Sequence, residues 1–257
     1  MSEAPPLHSG RTVKVAIAGA LGRMGRLACA AVAGADDLTL VGGVARSHSG
    51  ESLANVLHLP NDGGRLYDDT GALCDTAQPD VLVDFTTYPA SVAISSTAVQ
   101  KRVAAVVGAT GWQEADRKHL ADACERAGVA ACLVPNFALG AALMMRFAVE
   151  AAPHFPTVEI VELHHDGKKD APSGTSRLTA ERIRATNAHN DVPIHSVRLR
   201  GLVAHQEVLF GGTGELLTIR HDSLSRESFM PGVLLAVRRI VGRRGLFLGL
   251  DSFLGVR

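Results

Sequence analysis

The fold is decided near the start of the chain by the stretch Val13-Lys-Val-Ala-Ile-Ala-Gly19-Ala-Leu-Gly22-Arg-Met-Gly25. Its first half is a short apolar run that predicts a buried strand, and an alanine-rich helical run follows the glycines. Glycines between a strand and a helix let the backbone approach a pyrophosphate, which the free N–H groups of the helix then stabilise. The spacing is G-x-x-G-x-x-G and not G-x-G-x-x-G, so a simple tight turn remains the alternative. The dinucleotide interpretation assigns cofactor contacts to Gly19, Ala20, Leu21, Gly22, Arg23 and Met24.

Strands and helices alternate beyond this stretch. The segment 47–69 is polar and rich in glycine, which predicts a loop with one helical turn. Alternating strands and helices form a parallel sheet, and ligands bind beyond the carboxyl ends of its strands. The first domain is therefore predicted to be α/β, with a Rossmann-like doubly wound parallel sheet. Further strands are predicted at 38–44, 80–85, 103–107 and 133–137, and helices at 90–101 and 113–127.

A second domain is predicted from a change of pattern after a long helix at 138–152. Strand-like stretches follow one another with few helices between them, which favours an α+β domain with a mixed or antiparallel sheet. Gly211-Gly-Thr-Gly214 separates two of these strands as a hairpin turn. An amphipathic helix is predicted at 230–240. The predicted dinucleotide-binding domain comprises residues 1–136 and 235–257. The predicted domain for substrate binding and oligomerisation comprises residues 137–234. Strands of this second domain are predicted at 196–199, 205–210 and 216–219.

Composition excludes several classes of protein. The chain has 257 residues, 46% of them hydrophobic, with 26 basic and 26 acidic side chains, so no overall field attracts nucleic acid or an anionic membrane. No apolar run approaches the roughly twenty residues of a membrane span, and no hydrophobic signal core begins the chain, so a cytoplasmic protein is predicted. The cysteines show no C-x-x-C spacing, and all but Cys74 have apolar surroundings. Neither a disulfide nor a zinc site is expected of Cys29, Cys74, Cys124 and Cys132.

A second informative stretch is Val158-Glu-Ile-Val-Glu-Leu-His-His-Asp-Gly-Lys-Lys-Asp-Ala-Pro-Ser-Gly-Thr175. Its β-branched start predicts a strand that ends at two histidines, and Ser173 or Thr175 is predicted to cap the next helix. The first turn of that helix suits a carboxylate, which Gly174 would allow to approach closely. The histidines and lysines can move protons, so the stretch predicts a substrate site. A metal site, which the lysines disfavour, and a solvated basic loop remain the alternatives.

The motif His164-His165-x-x-Lys168-x-Asp170-Ala-Pro-Ser-Gly-Thr175 resembles the signature of the 4-hydroxy-tetrahydrodipicolinate reductases, also called dihydrodipicolinate reductases. That family carries the same glycine variant, including the Gly-Arg-Met-Gly at 22–25. The resemblance implies NAD(P)H-dependent reduction of a cyclic dicarboxylated imine, formed by loss of water from 4-hydroxy-tetrahydrodipicolinate, in lysine and diaminopimelate biosynthesis. It further implies a homotetramer and five site residues: Lys168 as proton donor, His164 as its acid/base partner, and His165, Gly174 and Thr175 as substrate-binding residues.

The resemblance also covers three strand ends that line the nicotinamide dinucleotide in the family. Each of these segments alone could be a simple turn at the end of a strand. That alternative does not explain why three segments match the family in the same order along the chain. They are Phe85-Thr86, Gly108-Ala109-Thr110-Gly111 and Pro135-Asn136-Phe137.

Cofactor preference is predicted from the end of the second strand. Family members often carry an acidic residue there, which would bind the ribose of NAD and repel a 2′-phosphate. This chain has Ala45 followed by Arg46, and an arginine accommodates that phosphate. NADPH is therefore the predicted preferred cofactor, and NADH is also possible. The alternative is that Arg46 extends into solvent and the enzyme does not distinguish the two cofactors.

Two rival functions would use the same first domain. A non-catalytic dinucleotide sensor would need neither Lys168 nor the Ser-Gly-Thr segment, and a dehydrogenase acting on an amino acid or aldehyde would share the first domain only. The resemblance covers nearly the whole chain, which favours the reductase. The predicted partner is then a small-molecule dicarboxylate substrate, with no metal, nucleic acid or membrane involved.

Overall fold

The computed structural model describes residues 11–255 of the chain. Its internal contacts divide the chain into two compact units: residues up to Pro135 together with those from Met230 onward, and Asn136–Phe229. The chain therefore passes from the first unit to the second and back again. The sequence predicts these divisions at 136/137 and 234/235, whereas the contacts divide the chain at 135/136 and 229/230. The second position differs because it would cut a helix, Met230–Ile240, that lies wholly in the first unit.

The helices and strands of the described residues follow in chain order. The first unit begins with β1 (Val13–Ala18), α1 (Arg23–Ala33), β2 (Leu38–Val44), α2 (Leu53–Leu57), β3 (Arg65–Tyr67), α3 (Thr70–Ala77), β4 (Val81–Asp84), α4 (Ala90–Gln100), β5 (Ala104–Val107), α5 (Glu114–Ala127) and β6 (Ala130–Leu133). The second unit contains α6 (Leu139–Ala151), β7 (Thr157–His164), α7 (Gly174–Arg184), β8 (Ile194–Arg198), β9 (Ala204–Gly212) and β10 (Glu215–Ser223). The chain then returns with α8 (Met230–Ile240) and β11 (Gly245–Leu248).

The strands of the first unit form one parallel sheet in the order β11-β6-β5-β4-β1-β2-β3. Every residue of β4, β5 and β6 is buried, as expected for central strands that are covered on both faces. The strand order reverses at β1, which lies between β2 and β4. A ligand crevice is expected at such a reversal, beyond the carboxyl ends of the strands. The predicted Rossmann-like fold is confirmed.

Several details of the predicted first domain were wrong. The loop predicted at 47–69 contains β3, which has one buried residue, Leu66, and is too short to show a periodic pattern. The strand predicted at 133–137 is instead Ala130–Leu133, because Pro135 has no N–H group with which to continue the ladder. The small residues that form β6 have little strand preference of their own. Their pairing with β5 and β11 makes them a strand.

The second unit contains a four-stranded mixed sheet in the order β10-β9-β7-β8, counted over the described residues. β7 runs parallel to β8 and antiparallel to β9, and β9 and β10 form a hairpin. The hairpin turn consists of the two residues between Gly212 and Glu215, and Gly214 adopts a positive φ of 76° there. The prediction of a mixed sheet is confirmed.

One face of this second sheet packs on α6 and α7. Alternate residues of β7 and β9 point to the helices, and Val158, Ile160, Val208 and Phe210 form an apolar core with Met144, Ala148, Ala180 and Ile183. The first six residues of β10 are exposed at all but one position, and Leu216 is 68% exposed. The core therefore lies on the helical side of the sheet.

The four cysteines, all within the described residues, are buried free thiols. Burial raises the pKa of Cys29 and Cys132 to about 12, and that of Cys74 and Cys124 to about 11. The expectation that Cys74 lacks apolar surroundings was wrong. It packs with Leu73 and Val103 in a hydrophobic cluster, because neighbours in the folded chain differ from neighbours in the sequence. Among residues 11–255, no helix has the length and apolarity needed to cross a membrane.

Candidate active site

The glycine turn of the first unit brings backbone close to backbone. Gly19 has a positive φ of 72°, and a Cβ there would lie 3.0 Å from the carbonyl oxygen of Phe85. A Cβ on Gly25 would lie only 2.1 Å from the carbonyl oxygen of Gly19. Gly22 precedes α1 as its N-cap and makes no side-chain capping hydrogen bond. The first turn of α1 therefore presents N–H groups without a side-chain cap, which is the arrangement that suits an anionic phosphate.

A buried carboxylate shapes the next loop of the first unit. Asp84, at the end of β4, is fully buried and accepts hydrogen bonds from the Thr86 backbone at 2.8 Å and the Thr86 hydroxyl at 2.6 Å. Its second oxygen accepts a hydrogen bond from Ser91. These contacts fix Phe85 and Thr86, which were predicted to line the cofactor. Sequence reasoning read Asp84 as part of a buried strand, although an acidic residue in an apolar run was a signal.

The segments predicted to contact the cofactor follow strands whose carboxyl ends share one edge of the parallel sheet. Arg46 comes after β2 and is exposed, and Gly108, Ala109 and Thr110 come after β5. Pro135 comes after β6, whereas Asn136 and Phe137 begin the second unit. Phe137 and Ala20 are buried, at 4% and 0% exposure, so their side chains lie in the protein interior.

In the second unit, β7 ends in a connected set of charged groups. The His164 Nδ1 atom lies 2.5 Å from Oε2 of Glu162, which is fully buried. Arg198, at the end of β8, donates to both oxygens of Glu162, at 2.9 and 2.7 Å. Burial alone would raise the pKa of Glu162, but hydrogen bonds from Arg198, Ser196 and His164 outweigh it and hold that pKa below its usual range. Glu162 is therefore ionised at neutral pH.

The same environment affects the His164 imidazole. Burial lowers the pKa of His164, the carboxylate of Glu162 opposes this, and the positive charges of Lys168 and Arg198 add to it. The net result is a pKa below the ordinary value, so the imidazole is neutral at neutral pH. A neutral imidazole that is close to an ionised carboxylate can accept and return a proton.

The loop after β7 carries the lysine that was singled out from the sequence. The Lys168 ammonium donates to both carboxylate oxygens of Asp170, at 2.8 and 2.9 Å, and this contact lowers the pKa of Asp170. Arg198 also donates to the backbone carbonyl of Asp170, at 2.7 Å. The loop is thus tied to β8, while His165 and Lys169 are exposed.

Helix α7 begins directly after this loop. Ser173 is its N-cap and accepts from the Ser176 N–H group, which confirms one of the two predicted caps. A Cβ added to Gly174 would meet no protein atom within 4 Å, so space is open beside the first turn. The Asn136 amide donates to the Thr175 hydroxyl oxygen at 3.2 Å, which leaves the hydroxyl proton for another acceptor. The first turn of α7 can therefore hold a carboxylate.

A pocket within the second unit brings some of these residues together with two histidines that sequence reasoning missed. It is lined by His164, Thr175, His205 and His221, among others. The His205 Nδ1 atom lies 2.6 Å from Asp222, and burial lowers the pKa of His221. No group of three or more His, Cys, Asp or Glu side chains among residues 11–255 is arranged to hold a metal ion.

Comparison with known proteins decides the family. Residues 13–137 match the family described as dihydrodipicolinate reductase, N-terminus, and residues 140–254 match dihydrodipicolinate reductase, C-terminus. The chain belongs to the dihydrodipicolinate reductase family. It is therefore an oxidoreductase whose reaction is of the dihydrodipicolinate reductase type, in lysine biosynthesis. The resemblance seen in the sequence is confirmed, and the sensor alternative is wrong.

Individual relatives support this assignment over almost the whole chain. The 4-hydroxy-tetrahydrodipicolinate reductase of Moorella thermoacetica is 42% identical over 95% of this chain and 98% of its own length. That of Bacillus subtilis is 41% identical over 96% of this chain and 99% of its own. The structure of dipicolinate-bound dihydrodipicolinate reductase from Paenisporosarcina sp. TG-14 has a TM-score of 0.83 and 36% identity, covering 94% of this chain and 99% of that one. An amine dehydrogenase from Mycobacterium smegmatis, at 13% identity and a TM-score of 0.69, shares the fold alone.

Proposed function

We propose that this member of the dihydrodipicolinate reductase family reduces 4-hydroxy-tetrahydrodipicolinate, via dihydrodipicolinate, to tetrahydrodipicolinate with NAD(P)H. The relatives named for this substrate support the proposal, as does the dipicolinate bound to the Paenisporosarcina protein. The observation that carries it is the loop after β7. There a buried carboxylate and the partly buried imidazole that it contacts lie next to an ammonium group and an open helix terminus, which are the groups that a dicarboxylated imine requires.

The first unit is proposed to bind the dinucleotide. The close approach of Gly19 and Gly25 to neighbouring backbone and the uncapped first turn of α1 fit a pyrophosphate. When bound, the nicotinamide supplies the hydride. The residues of the first unit proposed to hold the dinucleotide are Gly19, Ala20, Leu21, Gly22, Arg23, Met24, Arg46, Gly108, Ala109, Thr110 and Pro135. Asn136 and Phe137, which begin the second unit, are also assigned to it by the resemblance.

The second unit is proposed to bind the substrate and to supply the proton for the reduction. Lys168 donates the proton that balances hydride addition, and the ammonium has one N–H left beyond the two that Asp170 accepts. His164 serves as its acid/base partner. The N–H groups at Gly174 and Thr175 and the exposed imidazole of His165 bind and orient the carboxylates.

A direct assay tests the proposed reaction. Freshly generated 4-hydroxy-tetrahydrodipicolinate is mixed with enzyme and NADPH, and loss of absorbance at the nicotinamide band is followed. Turnover that depends on this substrate is expected. If NADPH binds but is not oxidised in the presence of the substrate, the proposed reaction is refuted.

We also propose that the protein is a homotetramer that associates through the second sheet. Apolar side chains are exposed on this sheet and directly beside it: Leu216 on β10 is 68% exposed, and Leu199, which follows β8, is 59% exposed. Sedimentation equilibrium measures the mass in solution, and a monomer at micromolar concentration would contradict the proposal.

Thr175→Val is expected to raise KM for the substrate about tenfold with little change in kcat, because it removes a hydroxyl that is aimed at a substrate carboxylate. Gly174→Val should act in the same direction, since its side chain would fill the open space beside the helix terminus. Inhibition by pyridine-2,6-dicarboxylate should weaken in parallel. Thr157→Val, at the opposite end of β7, is the matched control. Unchanged inhibition in both site variants would show that the first turn of α7 does not bind a substrate carboxylate.

Arg46 is expected to give at least about a tenfold preference for NADPH over NADH, since a charge-assisted contact with a 2′-phosphate contributes about 1.5 to 3 kcal/mol before screening. Arg46→Ala should remove most of this preference, and high salt should reduce it. The measurement compares kcat/KM for the two cofactors at low and high salt. Arg126→Ala, on the exposed last turn of α5, is the control. A preference for NADH in the wild type, or an unchanged ratio in Arg46→Ala, would contradict the assignment.

A further inference from the structure

Glu162 occupies a position that the alternation of β7 reserves for apolar residues. Val158, Ile160 and Glu162 all point to the buried face, and Glu162 is completely inaccessible to solvent. Burying a charged pair adds little stability compared with well-packed apolar residues of similar volume. Stability alone therefore does not explain why a carboxylate stands at this position.

The contacts of Glu162 are all with hydrogen-bond donors. One oxygen accepts from Arg198 Nη2 at 2.7 Å and from the Ser173 N–H group at 3.2 Å. The other accepts from Arg198 Nη1 at 2.9 Å and lies 2.5 Å from His164 Nδ1. The two-point contact with the guanidinium fixes the plane of the carboxylate. Both oxygens are thus held in place before any ligand binds.

This arrangement determines which nitrogen of His164 carries the proton. An ionised carboxylate can only accept, so Nδ1 must be the donor, and in the neutral imidazole Nε2 then carries the lone pair. Where an orienting carboxylate of this kind is replaced by its amide in serine proteases, the wrong tautomer forms and kcat falls by about 10⁴. The same physical requirement applies to any histidine that exchanges protons through one ring nitrogen.

Glu162 also joins the imidazole to the rest of the loop. Ser173, whose N–H group it accepts, is the N-cap of α7, and Arg198 holds the carbonyl group of Asp170. A single carboxylate therefore connects the end of β7, the loop carrying Lys168 and the helix terminus with Gly174.

We propose that Glu162 is a positioning residue, which holds His164 in the Nδ1–H tautomer with Nε2 available for proton exchange and sets its orientation relative to the first turn of α7. This inference rests on the acid/base role proposed for His164. Glu162 itself does not touch the substrate.

The tautomer can be measured in the wild-type protein without any assay of activity. Protein labelled with ¹⁵N-histidine gives ring-nitrogen chemical shifts that distinguish Nδ1–H from Nε2–H, and His164→Gln identifies the His164 signals. The Nδ1–H form is expected at neutral pH. A dominant Nε2–H form would overturn the proposal, whatever reaction the enzyme catalyses.

Glu162→Gln then tests the consequence for catalysis. It is expected to lower kcat by about 10² to 10⁴, the range of a misplaced acid/base group, with KM and NADPH affinity much less affected. The limb of the pH profile that reports His164 should move to lower pH, because Glu162 opposes the effects of burial, Lys168 and Arg198 on this imidazole. His205 and His221, which line the same pocket, are not substituted in this variant.

Glu159→Gln is the matched control. Glu159 lies on the same strand and makes the same kind of contact, 2.8 Å from His195 Nε2, but both side chains are more than half exposed. Its substitution should leave kcat and the pH profile unchanged. Glu162→Asp, which restores the carboxylate, should recover the Nδ1–H tautomer and part of the lost rate.

Equal losses in Glu162→Gln and Glu159→Gln, or a Glu162→Gln enzyme within about threefold of wild type, would overturn the inference. If Glu162→Gln does not fold, the tautomer of the wild type decides the question. Failure of the proposed function gives a different result: His164→Gln would then be fully active, or the wild type would not turn over the substrate. Neither of these alters the measured tautomer.

Discussion

Lys168→Ala is expected to lower kcat by about two to four orders of magnitude, which is the usual contribution of a positioned general acid. The ammonium is held by two hydrogen bonds to Asp170 on a loop that Arg198 also fixes, so its position is set before substrate binds. Alanine removes the proton donor but leaves the backbone of the loop and the first turn of α7 in place. NADPH affinity, measured by fluorescence titration, should change far less than kcat.

Lys169→Ala is the control for general loss of positive charge. Lys169 is adjacent in sequence and exposed, so its removal should change kcat by no more than about twofold. Solvent isotope effects on kcat add a second readout, because loss of the positioned donor should make proton transfer more rate-limiting and raise the isotope effect of Lys168→Ala above that of the wild type. A Lys168→Ala enzyme that retains turnover within about threefold would show that another group donates the proton.

Gly25→Ala is expected to destabilise the first unit strongly. The added Cβ would lie 2.1 Å from the carbonyl oxygen of Gly19 and 2.9 Å from the carbonyl carbon of Ala20. Both obstacles are backbone atoms, so no flexible side chain can move away, and α1 must shift from the end of β1. Overpacking of this severity costs about 3 kcal/mol, which lowers Tm by roughly 6 to 12 °C in a chain of this size. Because the same turn is proposed to hold the pyrophosphate, NADPH should also bind more weakly.

Gly34→Ala provides the comparison on the same helix. Gly34 follows the last turn of α1 with φ of −90°, and a Cβ there would meet the Ala30 carbonyl oxygen at 3.4 Å, an ordinary contact. Its Tm should stay within about 1 °C of wild type. Thermal unfolding followed by circular dichroism measures both variants. Equal Tm values for Gly25→Ala and wild type would mean that α1 can shift without loss of stability. The close approach of Gly25 to the Gly19 carbonyl would then not be required for the stability of the fold.

The parallel sheet was predictable where apolar strands meet glycine turns. Val13–Ala18 and Leu38–Val44 are strands with the predicted bounds, because each is long enough to show an apolar run of its own. β6 was predicted at 133–137 instead of Ala130–Leu133, and no strand was predicted at β11. Their four-residue segments depend on pairing with each other and with β5, and such long-range pairing leaves no local signal in the sequence.

The residues of the loop after β7 could be predicted from the sequence, but the residues that hold this loop in place could not. The histidines, Lys168 and the Ser-Gly-Thr segment form a continuous motif, so the sequence alone indicated them. Arg198 lies on a different strand, and only the parallel pairing of His164 with Arg198 in β7 and β8 brings the two together. Glu162 could have been noticed, since an acidic residue follows two apolar ones in the alternation of β7.

The double passage of the chain between its units has a consequence for synthesis. β6 forms the ladder that β11 must join, and α8 packs against α1, β5 and β6, but both elements are translated only after the whole second unit. Asn136–Phe229 is continuous and can complete its sheet and core as it leaves the ribosome. During that time the first six strands of the parallel sheet lack β11, so the edge of β6 is unpaired and can form wrong strand pairs. Nascent chains stalled before residue 230 should therefore be bound by chaperones, and release of the last two elements should end that binding.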